Sequence, residues 1–172
     1  MKIKSILYQG LFILTITLIF SSCGIYSFTG ASIDYTKMKT LSVHYFPNRA
    51  EIIVPTLSQQ LTDALIDKFR SQTKLRLVNG SADGVIEGEI TGYFTLSGAI
   101  QGNDKPAKNR LTMTVRVKYT NSVQPEYSFD QQFSRYEEYA SSQNITSIES
   151  QLILSLLDQL TEDIFNKAFV NW

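Results

Sequence analysis

The sequence predicts an α+β fold, a two-layer sandwich in which two helices pack on one face of a mainly antiparallel sheet of four to five strands. Three observations favour this class. Several segments alternate apolar and polar residues, as strands with one buried face do. Two segments repeat apolar residues at spacings of three and four, as amphipathic helices do. The chain of 172 residues contains a single cysteine, so no intramolecular disulfide can form and the core must stabilise the fold.

The first half of the domain is predicted to contain a strand, a helix and a second short strand. The strand covers 40–46 and alternates its apolar side chains: Leu41, Val43 and Tyr45. The helix opens at Pro55, which lies in its first turn, and runs to residue 72. Its apolar residues recur at helical spacing: Leu57, Leu61, Ala64, Leu65 and Phe69. The short strand follows over 74–78.

Two longer strands are predicted next, over 84–96 and 109–120. In the first, the even-numbered apolar residues are expected to face the core: Ile86, Ile90, Phe94 and Leu96. In the second, odd-numbered residues are expected to do so: Leu111, Met113, Val115, Val117 and Tyr119. Their opposite faces are rich in threonine and charge, which predicts one buried and one open face of the sheet. A last strand over 126–139 is expected to turn three aromatic residues inward: Tyr127, Phe129 and Phe133.

A long helix from about 147 to 169 closes the chain, with Thr146 and Glu149 at the spacing of a capping box. Its broad apolar stripe favours burial between two surfaces or contact with a partner: Ile148, Leu152, Leu156, Leu157, Leu160 and Ile164. Three aromatic residues at helical spacing either complete the core or form a patch for a partner: Phe165, Phe169 and Trp172.

The amino-terminal region resembles a bacterial lipoprotein signal. A basic head, MKIK, precedes an apolar run from Leu11 to Phe20, and two serines lead to Cys23. The run is shorter than the about 20 apolar residues that a membrane-spanning helix needs. The resemblance implies that Cys23 carries diacylglycerol through a thioether and usually an acyl chain, such as palmitate, on its freed amine. The alternative is an ordinary signal peptide with a chance cysteine.

This interpretation divides the chain into a removed signal peptide (1–22), a lipidated tether (23–38) and a single domain (39–172). The signal contains Lys2 and Lys4, so 14 of the 16 basic residues remain against 16 acidic ones. The mature chain therefore has a net charge of about −2, which argues against a nucleic-acid-binding protein.

The sequence contains no catalytic set. His44 is the only histidine, so a zinc site or a Ser-His-Asp triad is not expected, and we predict no enzyme, no metal and no other cofactor. Glu87 and Glu89 share one side of a strand and could act as paired carboxylates in glycoside hydrolysis. Cross-strand ion pairs with Arg116 and Lys118 are the favoured interpretation of the same residues.

A basic cluster is the candidate ligand site. Its members lie in the connection between the two long strands and along the second of them: Lys105, Lys108, Arg110, Arg116 and Lys118. Basic side chains at this spacing can bind the phosphates or sugar acids of a glycolipid. The alternative is a solvated face with local ion pairs.

Seven stretches span nearly all of the mature chain in a characteristic order. They are CGIYSFTGASI, PTLSQQLTDALIDKFRSQTKLRLV, EGEITGY, AIQGND, NRLTMTVRVKYTN, FSRYEEY and QLTEDIFNKAFVNW. In their order and extent they resemble the LPS-assembly lipoprotein family LptE, in the form found in Bacteroidota.

The resemblance implies a non-enzymatic outer-membrane lipoprotein that faces the periplasm. Such a protein lies as a plug in the lumen of the LptD β-barrel, helps that barrel assemble and supports lipopolysaccharide transport to the outer leaflet. Gly24, which follows Cys23, is not aspartate, and this agrees with sorting to the outer membrane. The alternative function is a stand-alone periplasmic lipoprotein that binds a glycolipid or glycan.

Overall fold

The computed structural model describes residues 33–97 and 108–170. Its five strands are β1 (Thr40–Val43), β2 (Arg76–Leu77), β3 (Gly84–Ser97), β4 (Lys108–Asn121) and β5 (Phe129–Ala140). Its α-helices are α1 (Leu57–Gln72) and α2 (Ile145–Phe169), and a short 3-10 helix covers Pro125–Tyr127. The predicted α+β class is confirmed, and both helices pack on one face of the sheet.

All five strands belong to one sheet, in the order β2-β1-β3-β4-β5. The last three form an antiparallel meander, whereas β1 runs parallel to both β2 and β3. The sheet is therefore mixed, with a dominant antiparallel part. Helix α1 supplies the crossover that a parallel connection between β1 and β2 requires.

The core lies between the helices and the sheet, and the predicted helical stripes form much of it. Helix α1 buries four of its predicted residues completely: Leu57, Leu61, Leu65 and Phe69. Helix α2 buries Phe165 and Phe169, which confirms the core interpretation for these two aromatic residues. Trp172 lies outside the described residues. None of the described helices combines the length and apolarity that crossing a membrane requires.

The predicted capping box of α2 is wrong. The N-cap is Asn144, whose side chain accepts a hydrogen bond from the Thr146 backbone N–H at 3.0 Å. Glu149 instead accepts a 2.7 Å hydrogen bond from the Tyr93 hydroxyl. Burial, and then this contact with Glu149, raise the pKa of Tyr93 and keep its hydroxyl protonated as a donor. The glutamate thus joins α2 to β3 rather than capping its own helix.

A β-bulge in β3 reverses the predicted orientation of the end of that strand. The pairing with β4 shifts between Ile90 and Gly92. Ile86 and Ile90 face the core as predicted, but beyond the bulge Tyr93 is buried and two predicted core residues are exposed: Phe94 and Leu96. One extra residue in a strand moves all later side chains to the opposite face.

The first strand is shorter than predicted, since β1 ends at Val43. As a result Tyr45 is 57% exposed, whereas its neighbour Phe46 is fully buried. The Phe46 N–H donates to the Thr62 hydroxyl of α1 at 3.1 Å, which holds the segment against the helix. Between β4 and β5, Tyr127 lies in the 3-10 helix rather than in the predicted last strand.

The last part of the predicted tether packs on the domain. Ile33 and Tyr35 pack against the core, and Met38 is itself buried. The Met38 sulfur lies 3.6 Å from the Tyr119 hydroxyl, close to the start of β3 at Gly84. The chain therefore enters the domain at the Gly84 end of the long β3–β4 hairpin.

Asp83 fixes the start of β1 against the start of β3. Its carboxylate accepts hydrogen bonds from the backbone N–H groups of Lys39 (2.8 Å) and Thr40 (2.9 Å) and from the Thr40 hydroxyl (2.8 Å). The hydrogen bond from the Lys39 N–H, followed by those from Thr40, lowers the pKa of Asp83 below its usual 3.8. The bonded, ionised carboxylate is thus part of the folded structure.

We expect Asp83→Asn to be less stable than the wild type by about 1 kcal/mol at neutral pH, because an amide accepts these bonds less strongly. Since the folded-state pKa is lowered, the contribution is present above the unfolded-state pKa and is lost as the pH falls through the folded-state value. The difference in melting temperature should therefore shrink below about pH 4. Asp67→Asn, at an exposed side chain that pairs with Arg70 of the same helix, is the control and should change stability little. A pH-independent difference for Asp83→Asn would contradict the assignment.

Candidate functional site: the open face of the sheet

The candidate site is the open face, the side of the sheet that points away from both helices. The strands β3, β4 and β5 are 14, 14 and 12 residues long, and alternate side chains of each reach this face. Charged residues concentrate in two places. The charged cluster lies towards the Gly84 end of the hairpin, and the tip patch lies at its other end.

The charged cluster comprises Glu87, Glu89, Arg116, Lys118 and Asp130. The β3–β4 register places Glu87 opposite Lys118 and Glu89 opposite Arg116. Lys118 Nζ donates to Glu87 at 2.8 Å, which confirms that predicted cross-strand pair. Arg116 turns instead to β5 and donates two hydrogen bonds to the Asp130 carboxylate, at 2.9 and 2.8 Å. A planar guanidinium matches two carboxylate oxygens, and this favours the bidentate contact with Asp130.

These contacts hold the cluster in its ionised state. The Lys118 hydrogen bond lowers the pKa of Glu87, and the Arg116 hydrogen bonds lower that of Asp130. In turn, the carboxylates raise the pKa of Lys118 and Arg116. Glycoside hydrolysis needs a carboxyl group with a raised pKa as the general acid. A lowered pKa keeps Glu87 ionised, which does not suit the general-acid role.

A shallow depression lies over the charged cluster. His44 and Tyr45, which follow β1, line it together with the cluster itself. His44 Nδ1 lies 3.7 Å from a Glu87 oxygen, and the imidazole is exposed. No group of three or more histidine, cysteine or acidic side chains is placed to hold a metal ion within the described residues.

The tip patch comprises Phe94, Leu96, Arg110, Tyr136 and Glu138. The Arg110 guanidinium carbon lies 3.7 Å from the centre of the Tyr136 ring, at cation–π distance. Arg110 and Lys108 both donate to the Glu138 carboxylate, at 3.1 Å each. The bulge in β3 adds the exposed side chains of Phe94 and Leu96 to the same surface. The tip of the hairpin is thus partly apolar.

The apolar part of the tip patch was missed by the sequence analysis. Strict alternation places Phe94 and Leu96 in the core, and it says nothing about Tyr136, which stands opposite Thr112 of β4. The available signal was Gly92, because an isolated glycine inside a strand pattern indicates a bulge.

The described members of the predicted basic cluster do not form a surplus of positive charge. Each donates to a carboxylate in the domain: Lys108 and Arg110 to Glu138, Arg116 to Asp130, and Lys118 to Glu87. With Glu89 included, four acidic side chains balance these four basic ones on the part of the open face that β3, β4 and β5 form. Lys105 and the predicted lipidation site, Cys23, lie outside the described residues, so both assignments stay predictions.

Comparison with known proteins connects this chain to a family. The model of the family LptE, described as lipopolysaccharide-assembly, matches residues 38–168. Among solved structures, a minor lipoprotein from Acinetobacter baumannii is 17% identical with a TM-score of 0.50, and the match covers 76% of this chain and 91% of that one. A hypothetical protein, CT253, from Chlamydia trachomatis is 11% identical with a TM-score of 0.56, covering 76% and 98%. At these identities the two structures support the fold alone. No curated protein matches the sequence significantly.

Proposed function

The chain belongs to the LptE family of lipopolysaccharide-assembly proteins, and on this premise we propose that it is an outer-membrane lipoprotein that plugs the LptD β-barrel. In this role it would help the barrel assemble and support the transport of lipopolysaccharide to the outer leaflet. Membership of the family gives the general role in lipopolysaccharide assembly. The barrel, the plug and the outer membrane are the parts that we propose.

The balanced open face is the observation that carries the proposal. A barrel wide enough to pass a lipid head group leaves an open channel unless something fills it, and its lumen is polar. A surface of paired charges, with threonine between them, can contact such a wall through hydrogen bonds without bringing a large net charge. Few isolated charges would then need to be desolvated.

We further propose that Cys23 anchors the protein on the periplasmic side of the membrane through its acyl chains. Two or three acyl chains on one residue bind a membrane far more tightly than a single acyl chain does. An anchor of this kind also raises the effective concentration of the domain near a membrane-embedded barrel. The described chain enters the domain beside Met38 and Gly84, so the tip patch lies at the far end of the hairpin from this entry point.

The decisive experiment is affinity purification of the full-length, lipidated protein from outer membranes. We expect a large β-barrel protein in near-equal amount, identified by mass spectrometry. Cys23→Ala should release the protein into the soluble fraction, whereas Ser21→Ala, which keeps the thiol, should leave it in the membrane. Recovery of no barrel would overturn the proposal. Binding of glycolipid by the soluble domain without a barrel would then favour the stand-alone binding lipoprotein.

A charge reversal tests whether the charged cluster contacts lipopolysaccharide or the barrel. We expect Arg116→Glu to weaken that contact about tenfold, the equivalent of one charge-assisted hydrogen bond. The fold should persist, because Arg116 and Asp130 are exposed and exposed ion pairs contribute little to stability.

The swapped variant, Arg116→Glu with Asp130→Arg, is the matched control because it restores the ion pair with the charges exchanged. If the contact requires a cation at position 116, the swapped variant should not restore binding. Binding and complex stability that stay unchanged in Arg116→Glu would remove the charged cluster from the site.

A further inference from the structure

The outer edge of β5 is a long backbone edge that no described strand covers. Along one side, residues 129–140 pair with residues 108–119 of β4 without a break in register. On its other side β5 is the last strand of the sheet. The opposite edge of the sheet is formed by β2, which is only two residues long. The edge of β5 is therefore long enough to pair with another strand, whereas the edge of β2 is very short.

The pairing pattern shows which residues of β5 direct their backbone groups outward. The Ile86 C=O and the Ile90 N–H bond the segment after β1, at 2.8 and 2.9 Å. Hydrogen-bonding direction alternates along a strand, so the backbone groups of odd-numbered residues near the start of β3 point towards β4. Through the register of β4, the odd-numbered residues of β5 bond β4, and the backbone groups of its even-numbered residues point away from β4. Ala140 agrees, since its C=O and N–H bond Gln143 beyond the strand.

Five residues therefore carry outward backbone groups: Asp130, Gln132, Ser134, Tyr136 and Glu138. Within residues 33–97 and 108–170, the N–H and C=O groups of these five have no hydrogen-bond partner. Unpaired groups in a row form a template on which another strand can pair.

Proteins usually protect such an edge with proline, a bulge or outward charges. β5 contains no proline or glycine, and its register with β4 has no bulge. Its charged side chains are bound within the domain: Asp130 to Arg116, Arg135 to Asp163, Glu137 to Ser155 and Gln159, and Glu138 to Lys108 and Arg110. Ion pairs thus neutralise Asp130, Arg135 and Glu138, and Glu137 is bound to side chains of α2. The central outward residues, Gln132 and Ser134, are uncharged.

We propose that the free edge of β5 receives an extended strand of the barrel polypeptide, joined by main-chain hydrogen bonds. Its 12 residues match the roughly 9–11 residues of a transmembrane β-strand. A closed barrel has no unpaired edge, so the strand that fits is the terminal strand of a barrel that has not yet closed. The inference rests on the proposed function and specifies the assembly step: β5 covers the open barrel edge until the barrel's own strands pair.

The test uses Gln132→Pro in the full-length, lipidated protein. The Gln132 N–H points outward, so proline removes a bond to the incoming strand and leaves the ladder with β4 complete. Gln132→Thr, which keeps the N–H and suits a strand, is the matched control. The barrel polypeptide recovered with the wild type is unfolded in urea and refolded into phospholipid vesicles with each variant. Its folded yield is then read from its heat-modifiable mobility on a gel.

We expect the wild type and Gln132→Thr to accelerate barrel folding equally, and Gln132→Pro to lose about tenfold of that acceleration, as expected for the loss of one or two main-chain bonds. Equal acceleration by a folded Gln132→Pro variant would overturn the inference. Recovery of the mature barrel in pull-downs should be unaffected by the variant, because closure has already displaced β5. Failure of the wild type to recover any barrel would instead overturn the proposed function.

Hydrogen exchange of the wild type provides a second measurement that does not depend on how the proline variant folds. The amides of Gln132, Ser134 and Tyr136 should exchange fast, and those of Phe133 and Arg135 slowly. Adding the unfolded barrel polypeptide should protect the three fast amides. No protection would overturn the inference. Protection that appears with rising concentration of this protein alone would also overturn it, since a second copy would then be the occupant.

Discussion

Replacing Phe169 by alanine should destabilise the domain by about 3–5 kcal/mol, the range for removing a buried aromatic side chain. Phe169 is 1% exposed, and its ring contacts both helices and the sheet. The ring centre lies 5.5 Å from that of Phe69 in α1, 5.7 Å from Tyr119 in β4 and 5.8 Å from Phe165 in α2. Truncation therefore leaves a cavity where both helices meet the sheet.

Thermal unfolding followed by circular dichroism measures this effect. For a domain of this size, the loss corresponds to a fall in melting temperature on the order of 10 °C. Leu154→Ala is the matched control, because Leu154 lies on the same helix with 64% of its surface exposed. It should change stability by about 0.5 kcal/mol or less. Equal effects of the two substitutions would mean that the end of α2 does not close the core.

The second large effect is expected for Gly88→Ala. A Cβ atom at Gly88 would lie 2.1 Å from the Arg116 carbonyl oxygen and 2.5 Å from the Phe46 ring. The ring could shift, but the carbonyl belongs to the neighbouring strand and cannot move without spreading β3 and β4. We expect a loss of about 3 kcal/mol or more, at the upper end of overpacking effects.

Gly92→Ala in the same strand is the control for Gly88→Ala. A Cβ atom at Gly92 would meet its nearest neighbour, Thr114 Cβ, at 3.2 Å, so a small adjustment accommodates it. Chemical denaturation of both variants should show a loss of about 1 kcal/mol or less for Gly92→Ala. If Gly88→Ala proves as stable as Gly92→Ala, then β3 and β4 do not approach at Gly88 as closely as described.

Most of the fold could be predicted because hydrophobic periodicity is a local property. The apolar stripe of α1 and the apolar–polar alternation of β4 were each predicted correctly, because both patterns involve residues only a few positions apart. The parallel pairing of β1 could not be predicted, because it joins Leu41 to Gly84 across a helix. The side chains at the end of β3 were assigned to the wrong face, because one bulge near Gly92 moves all later side chains of the strand to the opposite face.

The charged cluster could be predicted only in part. Glu87 and Lys118 lie on neighbouring strands of one hairpin, and their opposite charges on one face indicate the pair. Asp130 was missed as the partner of Arg116, because the register of β5 depends on the irregular connection at 122–128. Tyr45 was predicted on the apolar side of β1, but β1 ends early and leaves Tyr45 exposed. The Phe46 ring instead packs over Gly88, which has no side chain.

The strand order also determines when each part of the sheet can form. The meander of β3, β4 and β5 pairs only neighbours in sequence, so each step closes a short loop. By contrast, β1 must find β3 across more than 40 intervening residues, which costs more chain entropy and slows the encounter. A chain that emerges amino terminus first therefore presents β1 and α1 before the surface on which they pack exists. We therefore expect the hairpin to form first and the amino-terminal strand to pack last.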